Sequence, residues 1–115
     1  GKNKEALSDY NKVIGLDESK SQKFFLASAY YNRAILESND KLVAKAEADF
    51  KKAIEIDPRL SLAYVDYGQF LINQKKYSDA ITYIEKGKKI INGAAPDEVL
   101  KRIEVLLSKA RNKGK

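Results

Sequence analysis

The sequence predicts an all-α chain of stacked antiparallel helix pairs, about six helices in all, and three observations carry that prediction. Two prolines and six glycines in 115 residues are too few for a chain of many turns, and Ala, Leu, Ile, Lys and Glu, mostly good helix formers, dominate. Apolar residues recur three and four apart, the period of an amphipathic helix, instead of at every second position. Sliding the chain against itself brings like onto like at a shift of 34 residues, the mark of a repeated supersecondary unit.

In chain order, residues 4–17 come first. Ala6, Tyr10, Val13 and Asp17 precede Ala46, Phe50, Ala53 and Asp57 by 40 residues, so this segment reads as the second helix of a pair whose first helix the sequence does not contain. The offset exceeds the repeat by six residues, about 9 Å of helix. These are placed at the start of the next helix, where Ser19 and Gln22 form a capping box and Phe24, Phe25 and Leu26 extend the apolar stripe of a helix running to about Ser38. A six-residue loop is the alternative.

The 34-residue shift then sets Tyr30 on Tyr64, Ala34 on Gly68, Ala46 on Ala80, Phe50 on Ile84, Ala53 on Gly87 and Ile56 on Ile90. In the second unit Leu62, Tyr64, Val65, Tyr67, Phe70, Leu71 and Ile72 predict one helix, and Tyr77, Ala80, Ile81, Tyr83, Ile84 and Ile90 the next. Gln74-Lys75-Lys76 is the turn between them, with Ser78 as N-cap and Asp79 as a first-turn acid. Gly93 closes that helix. The last helix opens at Ala95-Pro96-Asp97-Glu98, with proline at its first position and two acids in its first turn. Val99, Ile103, Leu106, Leu107 and Ala110 share one face and Lys101, Arg102, Glu104, Lys109 and Arg111 the other, as in a solenoid cap.

Small residues at repeated positions let helices approach closely, and aromatics fill the wider gaps. Tyr30, Ala34, Ala46, Phe50, Ala53 and Pro58, followed by Tyr64, Gly68, Leu71, Tyr77, Ala80, Ile84 and Gly87 with Asn92 in the proline's place, resemble the signature of the tetratricopeptide-repeat family. The resemblance implies a right-handed superhelical solenoid forming one domain over 1–115: the second helix of a truncated repeat (1–18), a repeat with an extended first helix (19–60), a second repeat (61–94) and a capping helix (95–112).

The resemblance also implies a non-catalytic scaffold that holds a partner's peptide or helix in the concave groove lined by the first helices. Helix faces turned away from the packing positions make Ser28, Tyr31, Asn32, Ile35 and Asn39 the groove candidates of one repeat, and Leu62, Val65, Asp66, Gln69 and Asn73 those of the next. Apolar anchors mixed with amides and hydroxyls suit a peptide held through its backbone and a few apolar side chains. Co-chaperone members of the family hold C-terminal carboxylates with Lys, Asn and Arg. Here only Asn32 matches, and Leu62 and Asp66 fill slots that would need cations.

Composition narrows the chemistry. The absence of cysteine and histidine removes thiol nucleophiles, disulfides, the usual metal ligands and the commonest general base together, so no catalytic, metal or cofactor residues are expected. Paired acids such as Asp17 with Glu18, or Glu47 with Asp49, lie one or two apart and point to different helix faces. The glycines fall singly, without a phosphate loop. No apolar run approaches the roughly 20 residues that span a bilayer, and Gly1-Lys2-Asn3-Lys4 lacks the apolar core of a signal peptide; the compartment is left open, with the cytoplasm favoured.

Charge is uneven. Residues 86–115 hold nine basic side chains against three acidic, whereas residues 1–85 are balanced at 13 each, so the +6 surplus is C-terminal. Contact with nucleic acid or an anionic surface through that end is the alternative function, although nothing near Lys109 to Lys115 could stack a base. Ala6, Leu7, Tyr10, Val13 and Ile14 form a further apolar face. It predicts either further repeats upstream in the parent chain or homo-oligomerisation through Leu7, Tyr10 and Ile14.

Overall fold

The computed structural model describes residues 23–115, and Ala6, which is helical, ahead of them. Among the described residues there are five helices and no strand: α1 (Lys23–Asn39), α2 (Val43–Ile56), α3 (Ser61–Asn73), α4 (Tyr77–Ile91) and α5 (Asp97–Lys113). The expected helix over 4–17 and the Ser19–Gln22 capping box lie outside the described residues, as does the Leu7, Tyr10 and Ile14 face. Contacts divide the chain into two compact units, Gly1–Leu60 and Ser61–Lys115.

In the first unit α1 packs on α2. Ala27, Ala34, Ala46 and Ala53 are 0% exposed and Phe50 is 1%, which is the small-residue and aromatic pattern read from the sequence. α1 begins at Lys23, whereas its repeat counterpart α3 begins at Ser61, the equivalent of Ala27. The upstream residues Lys23 to Leu26 are helical, and the rest of the expected extension lies outside the described residues. Leu26 is buried, but Phe24 and Phe25 are exposed, their rings meeting edge to face with centroids 5.6 Å apart.

Both helix pairs close with the same turn. The Leu42 N–H donates to Glu37 O at 2.8 Å and Lys41 N–H to Ser38 O at 3.1 Å; 34 residues on, Lys76 donates to Leu71 O at 2.9 Å and Lys75 to Ile72 O at 2.9 Å. This six-to-one and five-to-two pairing satisfies the last helical carbonyls and needs a left-handed residue. Lysine supplies it twice, Lys41 at φ 61° and Lys75 at φ 62°. α2 stops differently: Pro58 cannot continue a helix, and the Asp57 carboxylate accepts from the Arg59 N–H at 3.1 Å.

In the second unit α3 packs on α4, and α5 on both. α3 buries eight of its residues, from Ala63 to Ile72. Gly68 and Gly87 earn their places by close approach: a Cβ on Gly68 would lie 2.2 Å from Ile84 Cγ1, and one on Gly87 would lie 3.0 Å from Val65 Cγ2 and 3.1 Å from Ser61 O. Ser78 is not the N-cap. The cap position of α4 is Lys76, without a side-chain cap bond, because the preceding turn already commits Lys76 N–H to Leu71; Ser78 is helical, and its carbonyl accepts from the Thr82 hydroxyl at 3.2 Å.

Asn92 (φ 50°) and Gly93 (φ 79°) share the left-handed exit from α4, and Pro96 occupies the position before the first residue of α5. The stripe on α5 buries Ile103, Leu106, Leu107 and Ala110, with Val99 half-buried. Its opposite face is exposed and tied to the rest of the unit by ion pairs: Arg102 to Asp66, Lys88 to Glu104 at 2.7 Å and Arg111 to Glu85 at 2.5 Å. The last two connect earlier residues of α4 to later residues of α5, so these helices run antiparallel.

Candidate functional site

The candidate contact residues fall on the first helix of each pair. On α1, Ser28, Tyr31, Asn32 and Ile35 are half-buried and Asn39 is exposed. They recur three and four apart and so share a face. Ala27, Ala34 and Glu37 are turned to the packing side instead.

On α3 the five candidates divide. Leu62 is 41% exposed and Val65 is 0% exposed. Val65 is therefore removed from the accessible set: its methyl lies against Gly87 of α4, and the missing Cβ there lets the helices approach so closely that this flank of α3 is covered. Gln69 is half-buried and Asn73 exposed, and the Gln69 amide donates to Asn73 Oδ1 at 3.0 Å. That bond presents two amides as one unit. Asp66 is held by Arg102 of α5, an arrangement that joins its carboxylate to a cation 36 residues away in sequence. Arg102 is thus a member of this surface that helical periodicity alone assigned only to a solvent face.

The α1–α2 contact holds a polar cluster that the sequence reading missed. Arg33 donates to both carboxylate oxygens of Asp49, Nε at 2.6 Å and Nη2 at 2.7 Å, the two-pronged geometry that makes guanidinium–carboxylate pairs strong. Glu37 and Asp49 are each only 5% exposed. Burial, then the hydrogen bond and negative charge of Asp49, push the Glu37 carboxyl up to about 8. Its Oε1 has no hydrogen-bond partner. One guanidinium cannot neutralise two buried carboxylates, so Glu37 keeps its proton near neutral pH and donates to Asp49.

A signal for this cluster was present. Arg33, Glu37 and Asp49 stand 34 residues before Tyr67, Leu71 and Tyr83, three residues assigned to helix packing. A charged trio at core positions of one repeat implies mutual pairing. Local spacing concealed it, since the partners lie on different helices. Among the described residues no group of acids is arranged to hold a metal ion, and no helix is long and apolar enough to cross a membrane.

Comparison with known proteins agrees with the repeat frame. A tetratricopeptide-repeat model matches residues 27–60 and a second matches residues 50–82. No curated protein matches the chain. Among solved structures, the TPR2B domain of yeast Sti1, in a complex with pHsp70, is similar with a TM-score of 0.82 and 24% identity, covering 97% of this chain and 85% of that one. At that identity the likeness speaks for the fold. The repeat matches overlap and together run from Ala27 to Thr82, so this stretch of the chain carries tetratricopeptide repeats.

Proposed function

We propose that the chain is a non-catalytic protein-interaction module, binding a peptide or helix of a partner protein on the outward face of the first helix of each repeat. The observation that carries this reading is the chemistry of those faces. α1 offers the Tyr31 ring, the Asn32 and Asn39 amides and Ile35; α3 offers Leu62 and the joined Gln69 and Asn73 amides. Amides can satisfy the N–H and C=O groups of an extended backbone, and the apolar side chains supply anchors.

The likeness to a domain solved with pHsp70 is in keeping with a polypeptide ligand. It does not carry over that domain's ligand, and a terminal carboxylate is disfavoured on this surface because Leu62 and Asp66 fill the slots that would need cations. Arg102 pairs with Asp66, so an incoming carboxylate would have to displace one already in place. A ligand read through its backbone and apolar side chains fits this surface better than a terminal carboxylate.

The test is to select peptides from a random library on the intact chain and compare affinities in a variant carrying Tyr31→Ala and Gln69→Ala. An affinity at least about tenfold weaker, a loss of about 1.4 kcal/mol, is expected. Unchanged affinity of every selected peptide would remove the proposal.

A further inference from the structure

α4 and α5 enclose an opening of about 720 Å3, entirely within the second unit, that the proposed function does not use. Half-buried Leu100 of α5 supplies its accessible apolar wall, backed by the buried Ile103, and Lys86, Lys88 and Lys89 of α4 stand around it. Lys86 and Lys89 are three residues apart and form one ridge on the helix surface. Lys88 has a different role: its ammonium meets Glu104 of α5 at 2.7 Å, a pair that raises its pKa and links the two helices.

The charges at the opening do not cancel. Glu104 is taken by Lys88, and Glu85 by Arg111 at 2.5 Å. Lys86 lies over the Tyr83 ring, 5.2 Å from its centroid, and among the described residues no ion pair reaches Lys86 or Lys89. An apolar recess with one uncompensated cationic edge results. It also gives a place to part of the basic surplus of residues 86–115.

We propose that the α4–α5 opening is a docking site for an acidic amphipathic segment of a partner protein, which seats an apolar side chain against Leu100, over the buried Ile103, and sets its carboxylates along Lys86 and Lys89. Each half of that chemistry answers one feature of the recess. Apolar contact supplies affinity, while the lysine ridge fixes orientation and speeds encounter in a salt-dependent way. A basic segment would be repelled. A single-stranded nucleic acid would find no open ring to stack on, since Tyr83 is half-buried beneath Lys86.

The probe is a synthetic peptide of about four helical turns with leucines on one face and glutamates on the other, titrated into the isotope-labelled chain while amide resonances are followed. The resonances of Lys89, Leu100 and Ile103 are expected to shift and those of Tyr31 and Leu62 to stay, with affinity falling as salt rises. Lys86→Glu with Lys89→Glu, both exposed and so compatible with folding, should weaken binding at least about tenfold. Leu100→Ser should weaken it without changing the salt dependence.

No binding at millimolar peptide, shifts confined to α1 or α3, equal binding of the peptide with lysines for glutamates, or an unchanged affinity in the double reversal would each overturn the proposal. So would tighter binding of an oligouridylate at the same resonances. Because the readouts are on α4 and α5, failure here is separable from failure of the faces on α1 and on α3.

Discussion

Arg33 grips both oxygens of Asp49, at 2.6 and 2.7 Å, at the repeat positions where Tyr67 and Tyr83 meet edge to face with ring centroids 4.7 Å apart. One helix pair is joined by an ion pair where the other is joined by aromatic rings. The two solutions fail differently. Arg33→Ala leaves the buried Asp49 carboxylate without its guanidinium partner and is expected to cost about 3–5 kcal/mol in chemical denaturation, because stranding a buried charge is dearer than never having it. The combined change Arg33→Tyr, Glu37→Leu and Asp49→Tyr, which copies the second repeat into the first, should be at least as stable as the natural chain. A triple variant weaker than Arg33→Ala would refute this account.

Glu37 makes the first helix pair sensitive to pH. Its carboxyl is raised from an ordinary 4.5 to about 8, so between those values the folded chain holds a proton that the unfolded chain has released. Below about 4.5 the unfolded chain is protonated as well and the full stability is present. As pH rises toward 8 it is lost, with a slope of at most about 1.4 kcal/mol per pH unit. The charged groups facing Glu37 are Arg33 on its own helix and Asp49 and Lys45 on the α2 side. Denaturation midpoints measured from pH 5 to pH 8 should fall with pH in the natural chain and be flatter in Glu37→Gln, the opposite sign from a carboxylate stabilised by its charge.

Gly68 is required by contact and not by backbone conformation. A Cβ there would meet Ile84 Cγ1 at 2.2 Å, Cδ1 at 2.7 Å and the Ala80 carbonyl at 3.3 Å, and Ile84 is 0% exposed. Gly68→Ala is expected to lose about 1–3 kcal/mol by overpacking, despite alanine's better helix propensity. Adding Ile84→Ala removes the clashing atoms, so the double variant should be more stable than the sum of the single losses predicts. Additive losses in thermal unfolding would contradict this.

Lys41 and Lys75 hold left-handed conformations, φ 61° and 62°, that cost a side-chain-bearing residue about 1 kcal/mol. Lys41→Gly and Lys75→Gly should each recover up to that amount, less the entropy glycine loses on folding. Differential scanning calorimetry reads the shift; a loss in both variants would show that the lysine side chains stabilise the turns.

Asp66→Asn releases Arg102 from its carboxylate. The pair is partly exposed, so stability should change by less than about 1 kcal/mol. Affinity for a peptide ending in a free carboxylate should rise relative to its amidated form, measured by calorimetric titration. Equal affinity for the two forms in the variant would show that Arg102 does not face that ligand.

Period and residue size determined most of the fold. Apolar side chains three and four apart can lie on one face only in a helix, and a 34-residue recurrence of Ala or Gly at Ala34 and Gly68, Ala46 and Ala80, and Ala53 and Gly87 marks where backbones must approach. Those inferences need no knowledge of what lies opposite. The turn at Gln74 to Lys76 was legible for the same reason, but its cap was not: Ser78 has the right chemistry two residues too late, because backbone hydrogen bonds of the preceding turn had already set the helix start.

Only the tertiary structure decided what each exposed-looking residue faces. Val65 and Gln69 share a helix and similar periodicity, yet Val65 is covered because Gly87 lets α4 approach it, while Gln69 stays accessible. Glu37 and Asp49 could not be seen as a carboxylate pair, nor Arg102 as the partner of Asp66, since their separations of 12 and 36 residues carry no local signal. Helical periodicity specifies direction about one axis. Which side chains meet across two axes depends on their distance and angle, and at this chain's contacts those are set by packing between helices.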